Sequence, residues 1–200
     1  MSRPLSVFLD NGHGNDTPGK RSSFPGLKTL YEYEFNRDTV SLITKLLEKA
    51  GVPCARIVPE LHDVSISERI MRVNRMVSAA SNDGFQSVLV SVHANAGKGT
   101  GFEAWTSKGK TRSDRLAEMI LDAAQNYLKG FAIRKDITDG DGDKESDAFS
   151  ILTKTLCPAV LTENLFMDTM KDYQFISSHA GRVALAEMHV AAILNYRESL

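Results

Sequence analysis

The sequence predicts an α/β domain: a mostly parallel (mixed), twisted sheet of about six strands with helices on both faces. Three observations predict it. Short apolar runs such as Leu5-Ser6-Val7-Phe8-Leu9 and Ser87-Val88-Leu89-Val90-Ser91-Val92 alternate along the chain with amphipathic stretches. Polar, glycine-bearing turns follow the first and central runs, at Asp10–Gly14 and Ala94–Gly97. No repeat, low-complexity tract or Pro/Ser-rich linker divides the 200 residues, so residues 1–200 read as one domain, with a core large enough to need no disulfide or metal staple.

The elements follow in order. Leu5–Leu9 is the first strand, and the turn-rich segment from Asp10 to Gly26 is a long excursion of the kind that carries function. From about Leu30 the apolar period becomes helical, with Phe35, Val40, Ile43 and Leu47 on one stripe, and Gly51 closes that helix. Val52–Val58 is a short strand. Ser65 and Glu68 have capping-box spacing, and Ile70, Val73, Val77 and Ala80 turn the next helix inward. Ser87–Val92 and Phe102–Thr106 are strands, Arg112–Leu128 an amphipathic helix and Ile133–Ser150 a polar loop. Ile151-Leu152 and Ala159–Thr162 are strand-like, and Met170–Leu200 is mostly helix.

The bulk numbers narrow the function. A net charge of -1 with no basic stripe argues against nucleic acid as a partner. No stretch is long and apolar enough to span a bilayer. The first residues lack the apolar core of a secretory signal, so the expectation is a protein made in the cytoplasm and released to its site by another component. Cys54 and Cys157 sit in apolar company and read as small buried hydrophobes.

In open α/β sheets ligands bind beyond the carboxyl ends of the strands. There the sequence places His13 after the first strand, His93 at the end of the central one and Glu163 after Ala159–Thr162. Glu32 and Glu34 open the first long helix. Alone, each has an ordinary reading: a loop histidine, a core histidine, first-turn acids favoured by the helix dipole. Glu163 is harder to dismiss, because a carboxylate at the inner rim of a sheet needs a partner. Two histidines and a carboxylate form a donor set common in catalytic zinc sites, which keep one position open, and a further carboxylate can serve as general base. No HExxH helix is present. His62, His179 and His189 have no such placement and read as surface or helix residues. Asp139-Gly140-Asp141-Gly142-Asp143 has the look of a calcium loop but lacks the glycine and glutamate spacing of an EF-hand, and reads as a solvated acidic loop.

Several stretches, in order, resemble the zinc-dependent N-acetylmuramoyl-L-alanine amidases of the amidase-3 family. They are Leu9-Asp10-Asn11-Gly12-His13-Gly14, Tyr31-Glu32-Tyr33-Glu34-Phe35-Asn36, Asp63–Arg69 with Asn74, Ser91-Val92-His93-Ala94-Asn95-Ala96 with Gly101-Phe102-Glu103, and Pro158–Glu163. The resemblance covers nearly the whole chain. It implies one zinc ion held by His13, Glu32 (in preference to Glu34) and His93, with Glu163 as the catalytic carboxylate. It implies hydrolysis of the amide between N-acetylmuramic acid and L-alanine in peptidoglycan. Asn95 and Lys98, just beyond His93 and in reach of a polar glycopeptide, are candidate substrate contacts, as is Arg21. The expected protein is a monomer with no separate wall-binding domain, similar to a phage-type endolysin that a holin releases to the wall. Two other readings stay open: a zinc peptidase cutting another bond of the stem peptide, and a non-catalytic peptidoglycan-binding domain.

Overall fold

The structure is a computed structural model that describes residues 4–138 and 140–200. The elements are β1 (Leu5–Asn11), β2 (Arg21–Ser22), β3 (Leu30–Tyr31), α1 (Glu32–Lys49), β4 (Cys54–Arg56), α2 (Ile66–Asn82) and β5 (Gln86–Asn95). They continue with β6 (Phe102–Thr106), α3 (Asp114–Tyr127), β7 (Lys144–Glu145), α4 (Ser150–Thr153), β8 (Ala159–Phe166), α5 (Met170–Ser177) and α6 (His179–Glu198). Six strands form one sheet in the order β4-β1-β5-β8-β6-β7, and β2 pairs with β3 in a small separate hairpin. β4, β1, β5 and β8 are parallel, β6 runs antiparallel to β8, and β7 is parallel to β6.

Strand alternation divides the core in two. Leu5, Val7 and Leu9 of β1, with Val88, Val90 and Val92 of β5 and Val160 of β8, join the larger cluster with residues of α1, α3 and α6. Phe8, Leu89, Ala159 and Leu161 point the other way, into a smaller cluster with Val64, Val73 of α2 and Ile151 and Leu152 of α4. With a side-chain period of two, Asp10, Ser91, His93 and Glu163 fall on the side of this smaller layer. That phase sets where the site is built.

A buried ion pair closes the exit of β1. Arg69 of α2 and Asp10 are 4% and 2% exposed, and Arg69 Nη1 lies 2.6 Å from Asp10 Oδ1. Arg69 also donates to the carbonyls of Val64, Asn11 and His13, and to Asp63 Oδ1 at 2.9 Å. The second oxygen of Asp10 accepts from Ser91 Oγ on β5 at 2.6 Å.

The capping expectation at Ser65 is half realised. Its side chain accepts from the Glu68 amide at 3.3 Å, while the Glu68 carboxylate pairs with Arg72 one turn on. Two expectations need correction. Ile151-Leu152 is not a strand but part of the single-turn helix α4. Residues 133–150 are not loop throughout, since β7 extends the sheet and Ile133 bridges Phe102. Met170–Leu200 is mostly helix, as expected, in two helices parted at Ser178, whose hydroxyl caps α6 by accepting from the Gly181 amide at 3.0 Å. Cys54 and Cys157 are free thiols, half-buried and buried.

His189 lies on a helix, as expected, but in the core of the larger layer at 0% exposure. Its Nδ1–H donates to the Leu185 carbonyl at 2.7 Å, and Nε2 accepts from Thr162 Oγ1 at 3.1 Å. Thr162 Oγ1 in turn accepts from Asn164 Nδ2 at 3.0 Å. This arrangement uses the neutral imidazole, and burial holds His189 down at about 4. The unfolded chain, with an ordinary histidine near 6.5, takes up a proton first. Stability contributed by the neutral ring is therefore full above about pH 6.5 and declines as the pH falls toward 4, by roughly 2–3 kcal/mol. Urea denaturation of wild type and His189→Gln at pH 7.5 and 4.5 should show a smaller acid loss in the variant. An equal loss in both would place the acid sensitivity elsewhere.

Candidate metal centre and active site

The site forms at the carboxyl ends of β1, β5 and β8. β5 and β8 register His93 opposite Glu163, and β8 and β6 register Glu163 opposite Glu103. The three side chains thus form a row across adjacent strands. Just beyond, β8 carries a bulge: pairing resumes at Asn95 with Phe166, and Leu165 adopts φ 68°. Asn164 uses the irregularity to donate to the His93 carbonyl at 2.9 Å, which fixes the backbone that aims His93.

His13 arrives from the turn after β1 with φ 66°, a left-handed conformation that non-glycine residues seldom adopt. The surroundings hold it there. Asn36 donates to the Gly12 carbonyl, and Arg37 and Arg69 donate to that of His13. A Cβ on Gly12 would stand 2.0 Å from His93 Cε1, so only glycine lets the turn pass beneath that ring. The two imidazoles meet edge to face, with centroids 4.9 Å apart and planes at 88°.

Glu32, the first residue of α1, completes the group. It is 1% exposed, and its Oε1 lies 3.3 Å from His13 Nε2 and 3.1 Å from His93 Nδ1. Its amide donates to the Lys20 carbonyl at 3.0 Å, and Lys20 Nζ stands 3.7 Å from Oε2. Glu34 instead accepts a hydrogen bond from the Tyr33 hydroxyl. His13, Glu32 and His93 place their ligand atoms within 4.8 Å of one another and form a group that could hold a metal ion. Their chemistry fits one. His13 Nε2 and Glu32 Oε2 are buried with no hydrogen-bond partner, and a bound cation uses such donor atoms. Burial works against the charge on Glu32, yet the two imidazoles beside it, His13 and His93, hold it well below the ordinary carboxylate range. Burial likewise opposes the charge on His93, which Glu32 restores, raising its pKa.

Glu163 and Glu103 are neighbours with opposite environments. Burial pushes Glu163 up to about 7 against the partial relief from His93, and its Oε2 has no hydrogen-bond partner. Burial also opposes the charge on Glu103, but Lys144 Nζ at 2.9 Å and Arg134 Nε at 2.5 Å hold it below its ordinary value. Its other oxygen accepts from Asn95 Nδ2 and Trp105 Nε1, each at 3.1 Å.

A cavity of about 380 Å³ opens over this rim. His13, His93 and Glu163 line its floor; Lys20, Ser65-Ile66 and Phe149 form parts of its wall. Of the candidate substrate contacts, Asn95 is turned to Glu103, while Arg21 and Lys98 are exposed, and none of the three lines this cavity. Lys20, next to Arg21, was not anticipated. Neither were Arg134 and Lys144, which come from a segment with no hydrophobic signal.

The family model for N-acetylmuramoyl-L-alanine amidases matches residues 7–195. The chain belongs to that family. Curated relatives include the sporulation-specific N-acetylmuramoyl-L-alanine amidase of Bacillus subtilis strain 168, 26% identical over 92% of this chain and 65% of that protein. The endolysin of Bacillus phage SPP1 is 28% identical over 96% of this chain and 67% of that protein. The chain thus spans about two thirds of these relatives' length. Among solved structures, the N-acetylmuramoyl-L-alanine amidase of Clostridium difficile 630 superposes with TM-score 0.82 at 27% identity, covering 99% of each chain. The six-stranded mixed sheet of this chain is therefore that of an amidase domain.

The close passage under His93 gives a test of the group's geometry. Gly12→Ala should fold but displace the His93 ring, so that the purified variant retains well under half the wild-type metal by elemental analysis. Full retention would show that the turn adapts without moving His93.

Proposed function

We propose that the protein is a zinc-dependent N-acetylmuramoyl-L-alanine amidase. On this reading it hydrolyses the amide between the lactyl group of N-acetylmuramic acid and L-alanine in peptidoglycan. The observation that carries the reading is the His13–Glu32–His93 group, built on a buried Glu32, with Glu163 beside His93 on the adjacent strand. Family membership supplies the bond.

His13, Glu32 and His93 would hold the ion, a mixed nitrogen and oxygen set that suits zinc. Zinc supplies Lewis acidity, which polarises the amide carbonyl. Glu163 is the general base. Its carboxylate takes a proton from the attacking water as oxygen bonds to the lactyl carbon. It returns that proton to the L-alanine nitrogen as the C–N bond breaks, leaving a free carboxylate on the glycan and a free amine on the peptide. A base must accept and release a proton near the working pH, and burial without a fixed partner raises the proton affinity of Glu163 toward that range. Glu103 is held ionised by its two cations and cannot readily cycle a proton. The roles of Arg21, Asn95 and Lys98 are then peripheral to the reacting bond, for longer portions of the glycopeptide.

His13, Glu32, His93 and Glu163 build the site without a residue from a second subunit, and the reading takes the protein as a monomer with residues 1–200 as one catalytic unit. Among the described residues no helix is long and apolar enough to cross a membrane. The likeness to a phage endolysin supports action on the cell wall after holin-type release.

Digestion of purified peptidoglycan followed by mass spectrometry tests the bond. Intact stem peptides with a free L-alanine amine are expected; cuts within the stem would make the protein a peptidase. Glu163→Gln keeps the shape of the side chain but cannot accept the proton. It should keep its zinc and lose ~10²–10⁴ in rate. A variant purified without zinc would make Glu163 a ligand, and near-native turnover would remove it from the mechanism. Glu32→Ala should weaken zinc affinity far more than Glu34→Ala in a chelator competition, and the reverse order would move the ligand by two residues.

A further inference from the structure

The segment between α3 and β8 holds a second gathering of carboxylates, outside the cavity described above. Glu118 of α3, with Asp141 and Asp143, places ligand oxygens within 4.8 Å of one another. Two oxygens bound to one calcium ion, each at about 2.4 Å, lie at most about 4.8 Å apart. The donors are oxygen only, which separates this group chemically from the histidine-containing one.

Asp143 is the buried member of the gathering. It is 1% exposed. Its Oδ2 accepts from Thr106 Oγ1 at 2.5 Å, but Oδ1 is buried with no hydrogen-bond partner, and so is Oδ1 of Asp141. Burial first, and then the neighbouring Asp141 carboxylate, push Asp143 up to about 7. A buried acceptor with no donor is costly, and a second acid beside it adds to the cost. The basic side chain beside the gathering does not relieve it, because Lys135 Nζ is paired with Asp122 at 3.6 Å. The backbone is shaped to close on the carboxylates. Gly142 donates to Glu118 Oε1 at 2.5 Å, and a Cβ there would come within 3.0 Å of that same oxygen.

We propose that Glu118, Asp141 and Asp143 bind a divalent cation of the calcium type, which ties residues 141–143 to α3. Water and backbone carbonyls complete the six to eight oxygens that calcium takes. The ion has a structural reach. Asp143 is followed directly by Lys144, which begins β7 and holds Glu103, and Arg134 at the other end of the segment holds the same carboxylate. Pinning Asp143 to α3 therefore steadies the row Glu103–Glu163–His93 from its outer edge. Asp139 lies outside the described residues and has no part in the proposal.

Thermal melting of the zinc-loaded protein with added calcium chloride tests it, independently of any hydrolytic activity. Binding to the folded state alone should raise the wild-type Tm by about 5–10 °C at a hundredfold excess over the dissociation constant. Asp141→Asn and Asp143→Asn should each abolish that rise, while their Tm without calcium stays at or above the wild-type value. Asp141 is only half-buried, so its variant serves even where Asp143→Asn fails to fold. Magnesium, which is smaller and sheds water reluctantly, should give a much smaller rise at equal concentration. No calcium response in wild type, an undiminished one in the Asp141→Asn variant, or an equal response to magnesium would overturn the proposal.

Discussion

The rim of the sheet depends on one buried guanidinium. Arg69 comes from α2, yet its partners are the side chain of Asp10, the carbonyls of Asn11 and His13 and the start of its own helix region at Val64 and Asp63. Asp10 passes the contact on to Ser91. One planar group thus joins β1, the turn that carries His13, β5 and the thinner helical layer. A buried charge has to be paired, and removing one member of such a pair typically costs about 3–5 kcal/mol. An apolar pair of equal volume could fill the space. It could not hold the two carbonyls that keep His13 in its left-handed conformation. The value of Arg69 lies in geometry more than in net stability.

Around this joint three carboxylates stand at the rim of the sheet, Glu32 and Glu103 buried and Glu163 half-buried, and the protein treats each differently. Glu32 is compensated by two imidazoles, Glu103 by a lysine and a guanidinium, and Glu163 by neither in full. Like groups in unlike environments acquire unlike proton affinities, which allows an acid-base role to be separated from a binding role. The separation rests on register: His93, Glu163 and Glu103 stand side by side because three strands align them, while the cations that distinguish Glu103 reach it only from the far side.

Much of this was legible in the sequence because it follows from strand ends. His13, His93 and Glu163 each follow an apolar run, and the rule that ligands gather beyond the carboxyl ends brings them together. Glu32 was legible only to within one helical turn; what distinguishes it from Glu34 is which face of α1 meets the sheet, a tertiary fact. β7 left no trace, since a two-residue edge strand of Lys144 and Glu145 has neither alternation nor apolar residues. α4 is hidden in the sequence because four residues with an apolar pair carry no period that tells helix from strand. Asn95, Arg21 and Lys98 lie near the site in sequence, yet none lines the cavity, because a side chain one residue off phase or beyond a bulge takes another direction. The neutral, buried His189 was hidden because nothing local tells a core helix histidine from an exposed one.

The order of strands has a consequence for how the molecule comes into being. β5 and β6 follow one another in the chain, yet β8 lies between them, and β6 runs against it. Until β8 is laid in, the middle of the sheet is a slot one strand wide, with unpaired backbone groups on both sides. Filling it requires contacts between residues far apart in sequence, the slow kind of step in folding. The strand that fills the slot is also the one that brings Glu163. Closure of the sheet and completion of the site are therefore a single event, and a chain still emerging from the ribosome, or cut short before residue 159, has neither.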